Sequence, residues 1–272
     1  PYYSNKAYLG GGGLSGGNHL FHLTIDNSSI IYEEEPYSFN GTVSAMGYSS
    51  LEPNHRYVLT YYGSFYHSSD DGANWEMSSA FDGPDAHYFY GSTIWASQNT
   101  PGKVIIGGSG YSNPPVYIGY DHGGSFVPLN EGLPNTLVLE LAGTPDDDYF
   151  FAATEVGPYV YIAEDGEWTD LAGISAPDQT YWSVEYIPEL KTARFGTYGR
   201  GIWDFIMDDE STIAGDLNQD EIVNVQDLIL LVNFVLGIDN PSDQQFNAGD
   251  VNGDGILNIL DIIATVNIIL DS

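Results

Sequence analysis

A mainly β fold of repeated sheet units, followed by a small helical tail, is predicted by three features of the 272-residue sequence. Four segments align as repeats, the turns inside them share a pattern, and composition changes near residue 210. The repeats cover 43–75, 94–126, 138–168 and 182–205, at a spacing of about 45 residues. Each reads strand, polar turn, strand ending in small residues, then an aromatic strand. A fifth, weaker copy covers 8–28. Several short strands recurring at roughly 40–50 residues are the signature of a propeller, because one such unit cannot bury both of its faces alone. Four or five units stand at the low end of the roughly four to eight blades that propellers use. Either further blades lie upstream of Pro1 or residues 1–40 form an irregular blade, and ring closure within the chain stays open at this point.

Composition bounds the function. The chain holds 38 acids and 6 bases, a formal charge of -32, with 42% hydrophobic residues. That content excludes wholesale disorder. The charge argues against nucleic acid and anionic membrane surfaces, which are bound through Lys and Arg, and favours cations. Cysteine is absent, so stability must come from packing or metal. No run approaches the roughly 20 apolar residues of a membrane helix. The start at Pro1-Tyr2-Tyr3 reads as a mature or trimmed product of a longer precursor. A secreted or cell-surface location is expected. All six bases fall within residues 1–207, whereas 214–272 holds ten acids, no base and two long aliphatic runs. The polar junction at 208–212 divides the chain into 1–210 and 211–272.

The turns carry the first resemblance. Ser68-x-Asp70-x-Gly72-x-Asn74-Trp75 is followed by a second copy with Asp121, Gly123 and Phe126, and by a shortened third with Asp165 and Trp168. An Asp caps backbone N–H groups, Gly takes a conformation other residues resist, and the aromatic packs inward. This pattern resembles the Asp-box of the sialidase-like (BNR), sortilin- and xyloglucanase-like propellers over about residues 40–207. In that family these boxes are peripheral hairpin turns, so the resemblance implies a structural role.

The tail carries the second. GDLNQDEIVNVQD (215–227) and GDVNGDGILNILD (249–261) repeat at an offset of 34 residues. Oxygen-bearing side chains fill loop positions 1, 3, 5, 9 and 12: Asp216, Asn218, Asp220, Asn224 and Asp227, then Asp250, Asn252, Asp254, Asn258 and Asp261. Position 7 adds the backbone carbonyls of Ile222 and Ile256. Ca²⁺ takes roughly six to eight oxygens, which alternate residues on a tight loop supply. Two Ca²⁺ ions are therefore expected, with metal binding coupled to folding. The pattern resembles a type I dockerin over about 214–271. It departs at position 6, where Glu221 stands for the usual Gly, while the second loop keeps Gly255. The resemblance implies a cohesin-like partner contacting Val225, Gln226, Val232 and Asn233, and by pseudo-twofold symmetry Ile259, Leu260, Val266 and Asn267. The Ser/Thr and basic residues common in cellulosomal dockerins are missing there.

Enzymatic activity has weaker support. A sialidase needs several arginines, and only Arg56, Arg194 and Arg200 exist. A glycosidase needs two carboxylates at a set separation; Asp82, Asp85, Glu140, Glu155 and Glu185 are available, but no spacing pairs them. His19 and His22 read as solvated turn histidines. Trp95, Tyr111, Tyr117 and Tyr120 could stack on glycans or pack in strands. Three functions follow: a secreted non-catalytic propeller attached through a Ca²⁺-dependent dockerin, the C-terminal part of a glycoside hydrolase, or a self-assembling extracellular scaffold.

Overall fold

The computed structural model describes residues 6–11, 14–26, 29–81, 93–111, 113–172, 176–207 and 213–271. The predicted junction at 208–212 and the carboxylates Asp82 and Asp85 lie outside them. The chain divides into two compact units, Pro1–Ile206 and Met207–Ser272.

Among the described residues the first unit contains five antiparallel meanders. The first sheet is β1 (Lys6–Gly10), β2 (Leu20–Asp26) and β3 (Ser29–Glu34). The second is β4 (Val43–Tyr48), β5 (Arg56–Thr60), β6 (Phe65–Ser68) and β7 (Glu76–Met77). The third is β8 (Thr93–Ala96), β9 (Val104–Gly107), β10 (Val116–Tyr120) and β11 (Ser125–Pro128). The fourth is β12 (Val138–Gly143), β13 (Tyr149–Thr154), β14 (Pro158–Ile162) and β15 (Glu167–Asp170). The fifth is β16 (Tyr181–Ile187), β17 (Thr192–Thr197) and β18 (Ile202–Ile206). Successive sheets meet through their first strands: β1 neighbours β4, β4 neighbours β8, β8 neighbours β12, and β12 neighbours β16. The weak repeat at 8–28 corresponds to the first sheet. There His22 stands on β2, half-buried and stacked on Tyr8, and is not a solvated turn residue.

The second strand of each middle sheet explains the packing. β5 and β9 are buried at every position. These are short apolar runs, as expected for strands covered on both faces. Their alternation sends side chains both ways. From β5, Tyr57 and Leu59 join Val104 and Ile106 of the third sheet, while Val58 joins Leu20 of the first. From β9, Ile105 instead joins Val138, Leu141 and Phe150 of the fourth. Burial falls off outward: both residues of β7 are exposed, and β11 is mostly exposed. The third strand of the first sheet, β3, is exposed along its whole length, with Ile30, Ile31 and Tyr32 at 65, 49 and 72%.

Close approach between sheets demands particular residues. A Cβ on Gly123 (φ +92°) would sit 2.4 Å from the Phe65 ring, so the β10–β11 turn rests directly on the second sheet. A Cβ on Gly132 (φ +79°) would lie 2.2 Å from the Trp168 carbonyl oxygen. The first strands of the second, fourth and fifth sheets each shift register near their start, between Val43 and Ala45, Val138 and Glu140, and Tyr181 and Ser183. Bulges of this kind re-aim the side chains beside them.

Polar clamps reinforce the seams. Asp147 is 6% exposed in the turn between β12 and β13. It accepts hydrogen bonds from the Ser97 hydroxyl (2.8 Å) and Lys103 Nζ (3.0 Å), both on the turn between β8 and β9. The pair is buried, with Lys103 15% exposed.

The second unit is helical: α1 (Val225–Val235), α2 (Asp243–Gly249) and α3 (Ile259–Asp271). α1 packs against α3. Leu217, Leu231 and Ala248 are its buried centre, with Leu230, Phe234, Leu257 and Ile262 around them.

Removing one partner of a buried ion pair leaves the other uncompensated, at about 3 kcal/mol or more. Asp147→Ala is therefore expected to lower the urea stability of the strand-rich unit by about 3 kcal/mol. Asp147→Asn should cost clearly less, because Asn tolerates φ +69° and still accepts the hydroxyl bonds. Equal losses in both variants would show that the Lys103 charge pairing, and not the Ser97 hydroxyl bonds, carries the clamp.

Candidate metal centre and docking face

The two tail loops are built from the same hydrogen bonds, displaced by 34 residues. Asp216 Oδ1 and Oδ2 accept from the N–H groups of Asp220 (3.2 Å) and Glu221 (2.9 Å). Asp250 does the same for Asp254 (3.0 Å) and Gly255 (2.8 Å). Asp220 Oδ1 accepts from Ile222 N, and Asp254 Oδ1 from Ile256 N, both at 3.0 Å. Asn218 and Asn252 bridge to the same aspartates through their side-chain amides (2.9 and 3.0 Å). Each loop thus curls around its own carboxylates.

Position 12 closes each loop onto its helix. Asp227 is fully buried and accepts three backbone N–H groups, from Leu217, Asn218 and Asn224, each at 2.9 Å. Asn224 caps α1, and its side chain accepts from Gln226 N at 2.8 Å, completing a capping box with Asp227. Asp261 is equally buried, accepting from Asn252 N (3.3 Å) and Asn258 N (2.9 Å). The carbonyl oxygens of Ile222 and Ile256 point back inside, each accepting from the Asn two residues on (3.1 Å).

This donor set fits a hard divalent cation. Every ligand candidate is an oxygen, and the carboxylates keep lone pairs after their N–H bonds are counted. Positions 4 and 6 take positive φ in both loops: Gln219 (+61°) and Glu221 (+65°) in the first, Gly253 (+71°) and Gly255 (+78°) in the second. Glu221 therefore adopts the turn that Gly normally supplies, and carries its strain.

The helices leave two matching apolar patches exposed. Ile222, Val225 and Ile229 are 63, 60 and 57% exposed, and their counterparts Ile256, Ile259 and Ile263 are 64, 60 and 53% exposed. Gln226 and Leu260 are exposed beside them, as is Asn267, whereas Val232, Asn233 and Val266 are half-buried. Ile229 and Ile263 were legible as the i+4 neighbours of Val225 and Ile259, on one helix face. α2, absent from the sequence reading, was signalled by Ser242 and Gln245, whose side chains form a capping box.

The patterned turns of the first unit join third and fourth strands. The Ser68 hydroxyl accepts from Gly72 N (2.9 Å), and Asp70 accepts from Asn74 N (2.8 Å) and Asn74 Nδ2 (2.6 Å). Those bonds hold the exposed Asp70 carboxyl below its ordinary pKa. Trp75 is buried against Phe39, centroid to centroid 5.2 Å. In the second copy Asp121, His122 and Gly123 all have positive φ, and the half-buried Phe126 packs on Phe65. In the third, Asp165 is exposed at the turn and the buried Trp168 donates its Nε1–H to Leu129 O (2.8 Å).

Other candidates disperse. Arg56 pairs with Asp71 and Arg194 with Asp204, while Arg200 lies in an exposed loop. Glu185 is exposed, and Glu155 accepts from the Tyr111 hydroxyl. Trp95 packs on Phe150 and Tyr117 on Phe81, while Tyr120 is exposed. Glu140 differs. It follows the bulge in β12 and lines a cleft of about 290 Å³, with Gly10, Ala45, Met46 and Ile94, where the first strands of four sheets approach. Burial raises its carboxyl pKa and Glu185 adds to this, against a hydrogen bond from Val184 N (3.1 Å).

Comparison with known proteins agrees with this division. Residues 214–270 match the family model of the dockerin type I domain. No curated protein sequence matches the chain. Among solved structures, a GH74 enzyme from Niastella koreensis superposes with a TM-score of 0.58 at 14% identity, over 75% of this chain and 35% of that one. An ancestral GH74 enzyme gives 0.52 at 16% identity, over 75% and 31%. The extracellular domain of a one-component system from B. thetaiotaomicron gives 0.54 at 17%, over 74% and 26%. The chain thus spans about a third or less of the length of these structures, and at these identities the likeness concerns fold alone. The protein is a mainly β, propeller-like unit followed by a type I dockerin domain.

Proposed function

We propose that this is an extracellular, non-catalytic propeller module that attaches to a cohesin-like partner through a calcium-loaded tail, with one ion per loop. The observation that carries the reading is the duplication of a whole oxygen-lined loop, almost bond for bond, within the segment that matches the dockerin type I domain. Type I dockerin domains bind calcium. The ligands would be Asp216, Asn218, Asp220, Asn224, Asp227 and the Ile222 carbonyl, with Asp250, Asn252, Asp254, Asn258, Asp261 and the Ile256 carbonyl in the second loop. Calcium supplies positive charge that the tail otherwise lacks, since residues 214–272 contain no Lys or Arg. Loop order then fixes the starts of α1 and α3, where the exposed patches lie. The docking surface centres on Val225, Ile229, Ile259 and Ile263, with Gln226, Leu260 and Asn267 beside them and Val232, Asn233 and Val266 behind. An extracellular setting is supported by the dockerin match and by a structural neighbour that is itself an extracellular domain. Among the described residues no helix is long and apolar enough to cross a membrane. The Asp-box reading of the β6–β7, β10–β11 and β14–β15 turns is supported by their recurrence and by the Ser68–Asp70–Asn74 bonding.

A second reading, part of a glycoside hydrolase, draws on Glu140 alone. Its raised pKa and its cleft suit a general acid. Release of reducing sugar from a β-glucan, abolished by Glu140→Gln, would establish it and displace the non-catalytic reading.

Three outcomes test the attachment model. Calorimetry on the full chain should count two Ca²⁺; Asp216→Ala and Asp250→Ala should each remove one, and undiminished uptake in the double variant would sink the assignment. Chelation should destabilise the tail by about 2.7 kcal/mol per site, relative to Ca²⁺ at a hundred times Kd. Ile229→Asp with Ile263→Asp should weaken binding to a type I cohesin at least about thirtyfold, the size of a hot spot. A Ca²⁺-dependent rise in particle mass without any cohesin, read by light scattering, would favour self-assembly instead. Glu221→Gly should relieve strain and stabilise the loaded first loop by roughly 1 kcal/mol, whereas a loss would show that the Glu221 side chain itself contributes.

A further inference from the structure

Three of the six histidines of the chain converge on one point at the seam between the second and third sheets. His55 immediately precedes β5, His67 stands on β6, and His122 projects from the turn between β10 and β11. One ring nitrogen from each lies within 4.8 Å of those of the other two. His55 Nδ1 is 3.0 Å from His122 Nδ1 and 2.9 Å from His67 Nε2. The ring centroids are farther apart, 4.1 Å for His55–His122 and 4.9 Å for His55–His67, so the rings splay and the nitrogens form the narrow end.

Protons account for only part of this arrangement. An imidazole nitrogen carries either one hydrogen or one in-plane lone pair. His55 Nδ1 faces two ring nitrogens, and His122 Nδ1 faces both His55 and the Tyr57 hydroxyl at 2.9 Å. With neutral rings, at most two of these three contacts can be two-centre hydrogen bonds; the remaining one has no hydrogen bond of its own. A single divalent cation at the convergence accepts all three lone pairs at once. Zn–N bonds of roughly 2.0–2.1 Å in a tetrahedron separate the nitrogens by roughly 3.3 Å, a few tenths of an ångström beyond the two spacings from His55 Nδ1.

The surroundings match a metal site independently. Glu52 Oε2 is buried without a hydrogen-bond partner, 3.6 Å from His122 Nε2, the ring nitrogen that points away from the cluster. At this distance the carboxylate makes no hydrogen bond, but its charge favours the proton on Nε2 and so a Nδ1 lone pair turned inward; a small shift would complete the usual outer arrangement of a metal-bound histidine. Burial and the two neighbouring rings lower His67 to about 4, and burial with His55 lowers His122. The backbone fixes the third arm: His122 N donates to Gly102 O (2.9 Å), and the adjacent Gly123 sits on Phe65.

We propose that His55, His67 and His122 bind a divalent transition-metal ion, Zn²⁺ foremost, with the fourth position open to water or the Tyr57 hydroxyl. Two ligands come from the second sheet and one from the third, so the ion clips neighbouring sheets together in a chain that has no disulfide. The all-nitrogen donor set separates this site from the all-oxygen loops of the tail, which suit Ca²⁺.

The test uses the full chain in excess Ca²⁺, so that the tail loops are filled before Zn²⁺ alone is added. Calorimetry should count one Zn²⁺ per chain, and Zn²⁺ at a hundred times Kd should raise the Tm of the strand-rich unit by roughly 5–10 °C. His67→Gln and His122→Gln should each weaken uptake at least tenfold, and Glu52→Gln roughly tenfold, while His22→Gln leaves it unchanged. Should the variants fail to fold, imidazole NMR of the wild-type chain decides: Zn²⁺ should shift the signals of three histidines and spare the others. Absence of Zn²⁺ uptake by the wild-type chain would overturn the proposal, as would undiminished uptake by the folded His67→Gln/His122→Gln variant or NMR shifts confined to other histidines.

Discussion

The whole molecule depends on how buried carboxylates are compensated when cationic side chains are scarce. With 38 acids and 6 bases, most acids have no basic partner. Arg56, Lys103 and Arg194 each serve one aspartate. Elsewhere the backbone takes their place. Asp227 is buried against three N–H groups and Asp261 against two. Hydrogen bonds to an ionised carboxylate are roughly twice as strong as neutral ones, which is what makes such burial tolerable. Local order in the loops and turns follows: where an aspartate must be satisfied, the chain curls until its N–H groups reach it.

That rule explains what could be read in advance. The loop frames of the tail were legible because a curled chain needs oxygens at fixed offsets, and Asp216 to Asp227 and Asp250 to Asp261 meet them at every position. The helix starts at Val225 and Ile259 followed from the same frame. The sheet units were legible because strands buried on both faces are short apolar runs between turn residues, as β5 and β9 are.

Other features depend on contacts between segments far apart in the chain. His55 and His122 are 67 residues apart and meet only because the β10–β11 turn folds over the second sheet. Glu140 is singled out among many acids by a register shift in β12, which no local pattern announces. The division of α1 into a buried and an exposed face needs the position of α3, since Leu231 and Ile229 are equally apolar but lie 0% and 57% exposed. Lone histidines and carboxylates carry little signal until the fold gathers them.

The exposed strand β3 gives the surplus charge a colloidal meaning. Its outer edge runs Ile30-Ile31-Tyr32 and then straight into Glu33-Glu34-Glu35. An apolar edge of this kind is a template for another strand. The glutamates act as gatekeepers: a second copy laid alongside in parallel register would bring like charges opposite one another at the distance of a cross-strand pair. The net charge of -32 is in this sense part of the solubility of the fold, protecting by repulsion an edge that no further strand covers among the described residues.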